Sequence, residues 1–75
     1  MRRLTEKEEE VMYHFWDNGP MFVREIVEKC PDPKPHYNTV STVVRLLEEK
    51  GFVDHKVYGS TYQYFAIISR EDYKG

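Results

Sequence analysis

Apolar positions in the first third of the chain recur at helical spacing. In "LTEKEEEVMYHFWDNGP" the residues Val11, Met12, Phe15 and Trp16 fall at i, i+1, i+4 and i+5, the stripe of a helix packed on one side. Thr5 followed three residues later by Glu8 forms a capping box, and the acids after Thr5 suit the positive end of a helix. Asn18-Gly19-Pro20 ends the run, with Gly19 expected as a left-handed cap. The pattern predicts a helix from Glu6 to Asp17. Met21-Phe22 is too short for more than a strand stub. Val23, Ile26, Val27 and Cys30 then share a face, predicting a second helix of about two turns. "PDPKP" breaks it, because prolines at 31, 33 and 35 exclude regular structure.

The third helix is predicted from Tyr37 to Lys50 within "HYNTVSTVVRLLEEKGF", with Gly51 as its cap. Beyond it, alternating β-branched and aromatic residues with Gly59 in a short turn predict a β-hairpin from Val53 to Ile67. Ser69 followed by Glu71 and Asp72 has the form of a further helix start. Three helices followed by a C-terminal two-stranded ribbon is the winged helix-turn-helix arrangement, an α+β fold.

The third helix carries the functional signal. At 100° per residue Val40, Val43, Val44 and Leu47 occupy one arc and face the core. Asn38, Ser41, Thr42, Arg45 and Glu49 lie opposite, while Thr39 and Leu46 share a flank. Its front half is rich in Thr and Val, weak helix formers whose branched Cβ restricts χ1, and it has no acid before Glu48. Short amide and hydroxyl side chains read base edges or bond phosphates without bulk, and one arginine can grip a guanine or a phosphate. A solvated face that merely lacks charge is the bland alternative. At the hairpin tip Lys56, Tyr58, Ser60 and Thr61 surround Gly59, where a wing would meet the nucleic-acid backbone or the minor groove. Tyr62 and Tyr64 share a strand face and are expected to pack on the core.

Composition narrows the picture less. Seventy-five residues, 40% of them hydrophobic and 15% aromatic, make one small folded domain. Net charge is −2, which argues against nucleic acid, but its distribution is uneven. Glu6, Glu8, Glu9 and Glu10 crowd the start, whereas between Lys29 and Arg45 three bases face one acid, Asp32. A local field can differ in sign from the total. A lone cysteine, Cys30, fits a reducing compartment and a buried apolar role. With neither a signal peptide nor a membrane-length apolar run, a soluble, cytoplasmic protein is expected. His14, His36, His55 and Cys30 are scattered without ligand or nucleophile spacing, so no enzyme, cofactor or metal site is expected.

With these elements in place, the chain resembles the penicillinase-repressor family. "LTEKEEEVMYHFW" is similar to the family's opening helix, and "MFVREIVEKC" to its first strand and second helix. "NTVSTVVRLLEEKGFV" resembles its recognition helix, with Thr39, Val40, Thr42, Leu47, Lys50 and Gly51 at matching positions. "VYGSTYQYFAIISREDY" is similar to its wing and to the entry of the next helix. Two departures are visible: Leu46 stands where the family has an arginine, with Arg45 one place earlier, and Ala66 replaces a proline of the wing. The resemblance implies a DNA-binding repressor domain over residues 1–68, and the start of a truncated C-terminal dimerisation helix over 69–75. It implies double-stranded DNA carrying an inverted-repeat operator as partner, and a homodimer only with the C-terminal lobe. Helix 3 is expected to read through Asn38, Thr39, Ser41, Thr42 and Arg45, with Lys34, Tyr37 and the wing on phosphates. The copper-binding cysteine pairs of some relatives lie in that lobe, so nothing here is expected to sense metal or drug. A winged helix that docks on a protein instead of DNA is the alternative, and it predicts an exposed apolar patch on helix 3 or the wing.

Overall fold

In a computed structural model that describes residues 3–74, the elements run α1 (Glu6–Asn18), β1 (Met21–Phe22), α2 (Val23–Lys29), α3 (Tyr37–Glu49), β2 (Val53–Tyr58), β3 (Thr61–Ala66) and α4 (Arg70–Lys74). The expected order is present. Boundaries differ by a residue or so: α2 stops before Cys30, α3 before Lys50, and β3 before Ile67.

The capping box of α1 is formed. Glu8 N–H donates to Thr5 Oγ1 at 3.2 Å, and Thr5 N–H donates to Glu8 Oε1 at 2.8 Å. The same Glu8 carboxylate, 3% exposed, accepts two 2.8 Å bonds from Lys50 Nζ, tying the start of α1 to the end of α3. Burial pushes the Glu8 carboxyl up, but the bonds and charge from Lys50 and the bonds to Thr5 outweigh it and hold its pKa below the usual value.

Gly19 departs from the left-handed cap expected of it. Its φ is +80° but its ψ is −155°, so the chain swings straight into extended backbone toward β1 while Gly19 N–H still donates to Phe15 O. Gly51, at φ +85°, does close α3 in the expected way. Gly51 N–H donates to Glu48 O at 3.1 Å and Phe52 N–H to Leu47 O at 2.9 Å, the paired bonds of a Schellman motif. That motif turns Phe52, 1% exposed, into the core. Gly51→Ala should therefore cost about 1–2 kcal/mol in urea unfolding, since no neighbour lies within 4 Å of the new Cβ and only the positive φ opposes it.

The strand stub does more than its length suggests. β1 pairs antiparallel with β3, Met21 opposite Tyr64, making a three-stranded sheet in the order β1-β3-β2. Every layer meets in one core, in which Met12, Ile26, Val44 and Leu47 are fully enclosed, with Phe52 and Val53 beside them. Val43, expected there, is only partly buried at its edge. α4 folds back on α1: Trp16 Nε1–H donates to Ile68 O at 2.8 Å, Tyr73 O–H donates to Glu9 Oε2 at 2.6 Å, and Arg70 pairs with Asp17 at 2.5 Å. Among the described residues no helix is long and apolar enough to cross a membrane.

Candidate nucleic-acid interface

The burial of Val40, Val44 and Leu47 turns Asn38, Thr39, Thr42 and Arg45 to solvent, while Ser41 is only half-exposed. Thr42 Oγ1 donates back to Asn38 O at 2.9 Å, which orients the hydroxyl and leaves its lone pairs outward. His36 is the N-cap of α3 but makes no side-chain cap bond, and the first turn contains no acid. The positive end of this helix is thus open, a natural seat for a phosphate. Tyr37, the first helical residue, is 52% exposed.

The hairpin lies along one flank of α3. Two residues, Gly59 and Ser60, link Tyr58 to Thr61, with Gly59 at φ +59° in the first loop position, where a type II′ turn takes glycine. Strand alternation divides the wing. Val53, His55 and Val57, with Tyr62, Tyr64 and Ala66 opposite them, share the face toward α3. Lys56, Tyr58 and Thr61 take the other face, where Tyr58 meets Phe22 edge-on at 5.8 Å. Lys56, Tyr58, Ser60 and Thr61 are all exposed.

The expectation that both Tyr62 and Tyr64 pack on the core is correct only for Tyr64, which is 6% exposed. Tyr62 is 49% exposed because β3 outruns the end of the core towards its turn, where the His55 ring at 4.8 Å and the edge of Tyr64 at 6.5 Å lie against it. Burial raises the Tyr64 hydroxyl pKa, the Glu48 charge adds to the rise, and the Arg45 charge opposes it. Arg45 stands three residues before Glu48, which meets the wing through His55, so the two share a side of α3.

Lys34 is exposed just before α3, but its ammonium is already engaged. Its ammonium donates to Glu28 O at 2.7 Å and Cys30 O at 3.0 Å, closing the end of α2. A residue not picked out from the sequence stands closer to the expected surface. Arg24, exposed on α2, lines one cleft together with Phe22, Glu25, Glu28, Tyr37 and Thr61, so that α2, the start of α3 and the wing tip converge around one base and two acids. Arg24 makes no ion pair among the described residues. Its position was legible: with Val23 and Ile26 buried, Arg24 must point outward from the turn that precedes α3.

Two side-chain groupings cross the spacing that made the histidines look scattered. Cys30 Sγ lies 3.9 Å from His14 Nε2 while bonding Ile26 O. Glu48, Asp54 and His55 meet at the base of the wing.

Comparison with known proteins agrees with this architecture. A family model described as Penicillinase repressor matches residues 4–75. The fold is similar to the solution structure of the DNA binding domain of the repressor BlaI, with a TM-score of 0.79 at 23% identity over 97% of this chain and 94% of that one. At that identity the likeness establishes the winged-helix fold. No curated protein sequence matches the chain significantly.

Proposed function

Because the chain belongs to the penicillinase repressor family, we propose that it is a transcriptional repressor that binds double-stranded DNA sequence-specifically. The similar BlaI domain is itself described as the DNA binding domain of a repressor. The observation that carries the reading is the outer face of α3, where Asn38, Thr39, Thr42 and Arg45 are exposed at an open helix N-terminus without an acid. Inserted in the major groove, the amide of Asn38 and the guanidinium of Arg45 meet base edges, and the small hydroxyls of Ser41 and Thr42 permit close approach. Phosphates on either side of the groove meet Tyr37, Arg24 and the first amides of α3, and the wing through Ser60, Thr61 and Lys56. Lys34 contributes charge near the same backbone while holding α2. Two copies, paired through a C-terminal lobe that residues 69–75 begin, sit on the two halves of an inverted repeat, since a two-fold protein mirrors a palindromic site.

The protein-docking alternative has exposed apolar residues in its favour: Val57 at 65%, Tyr62 at 49% and Leu46 at 43%. Val57 and Tyr62 are cross-strand partners and make one exposed apolar pair on the wing, but Leu46 is not part of it. Leu46 shares the flank of Thr39, whereas the opposite flank of α3 meets the hairpin through Glu48 and His55. Amide chemical-shift mapping separates the readings. With a duplex carrying an inverted repeat from upstream of the protein's own gene, shifts should concentrate at Asn38 to Arg45, at Arg24 and around Gly59. They should fade as salt rises, because phosphate contacts release counterions. Absence of those shifts at low salt would reject DNA as the partner of this face.

A further inference from the structure

The C-terminal turn of α3 and the first residues of β2 bring an imidazole nitrogen and two carboxylate oxygens together. One ligand atom each from Glu48, Asp54 and His55 lies within 4.8 Å of the other two. We propose that these three residues bind a divalent zinc ion that clasps the end of α3 to the base of the wing.

Zinc takes nitrogen and carboxylate ligands at about 2.0–2.2 Å, so ligand atoms around a shared tetrahedral ion stand about 3.4 Å apart. The separations here straddle that value: His55 Nδ1 is 2.5 Å from Glu48 Oε2 and 3.9 Å from Asp54 Oδ1. A shared ion would widen the Glu48–His55 contact and draw Asp54 in. The ligands are also held in place. Asp54 and His55 are adjacent in a strand and start out on opposite faces, but Asp54 Oδ1 accepts the His55 amide at 2.8 Å, which curls the carboxylate back toward the ring. The ring itself is flanked by Tyr62 at 4.8 Å and Tyr64 at 5.5 Å.

Charge points the same way. Among the described residues Glu48 and Asp54 pair with no lysine or arginine and meet only His55. Two carboxylates directed at one imidazole leave negative charge that a dication neutralises. Calcium, which takes six to eight oxygens, and magnesium, which demands an octahedron, are poorly served by one nitrogen and two oxygens. Zinc is suited to them, with its fourth position open to water.

The test is titration of the purified domain with zinc chloride, followed by calorimetry and by amide shifts, with calcium chloride as control. One saturable site should appear, with shifts centred on Glu48, Asp54 and His55, and calcium should give none. His55→Ala and Asp54→Asn should each weaken binding by at least the roughly 10–100-fold that loss of a supporting residue costs. Asp54→Asn, exposed and changing a single atom, keeps the test decisive if His55→Ala disturbs the wing. Cys30→Ser should leave binding intact. Absence of saturable zinc binding would overturn the proposal, as would binding that survives the first two substitutions and is lost with Cys30→Ser.

Discussion

Lys50→Met should destabilise the domain by about 3 kcal/mol at neutral pH, the low end of what breaking a buried ion pair costs. The reason lies with the partner left behind. Glu8 is 3% exposed, and its two bonds from Lys50 are what make an ionised carboxylate tolerable there. Without them the Thr5 bonds alone oppose the burial that pushes the carboxyl up. For a domain of this size, whose total stability is on the order of 4–11 kcal/mol, the loss is severe.

The pH dependence has a definite sign. In the native protein the Glu8 pKa is held below the ordinary glutamate value. Its contribution to stability is therefore fully present above that value and is lost as pH falls through the lower folded value. In the Lys50→Met protein the carboxyl pKa is raised, and protonation relieves the defect. Urea unfolding at pH 7 and at acid pH should thus show the gap between the two proteins closing on acidification. A gap that stays constant with pH would mean that the lysine acts by packing alone.

Arg45→Ala should weaken operator binding by about 1–3 kcal/mol and relax discrimination at one base position, if Arg45 reads a guanine edge. It is exposed on the third turn of α3, on the same side as Glu48, which meets the wing. A phosphate contact predicts a different result: affinity falls almost equally on all sequences, and the salt slope falls by about one. Arg45→Lys sharpens the distinction, since an ammonium lacks the bidentate fork but retains the charge. Competition binding against operator and scrambled duplexes decides. Unchanged affinity on every duplex would remove Arg45 from the reading set.

Some of this architecture was visible in residue order because its causes are local. The Thr5–Glu8 capping box, the Gly51 stop and the Gly59 turn each involve residues a few positions apart. The core arc of α3 follows from a period of 3.6, and once it is known the outward face of Asn38, Thr42 and Arg45 follows too. Gly19 was misjudged in detail because a positive φ can be followed by more than one ψ, and the choice is made by where β1 must pair.

Contacts between distant residues left no such trace. Nothing near Met21 announces a partner at Tyr64, and nothing near Glu8 announces Lys50, 42 residues away. Tyr62 and Tyr64 are equivalent by strand periodicity, yet one is buried and the other open because the core ends between them. Arg24 joined the candidate surface, Lys34 turned to the end of α2, and Glu48, Asp54 and His55 met at the base of the wing. Periodicity and capping chemistry act over one or two turns of chain, so residue order specifies the elements, their faces and the acid-free outer face at the start of α3. Which ends of those elements touch depends on how all the apolar faces are buried at once, and that set the ion pair, the cleft and the ligand cluster.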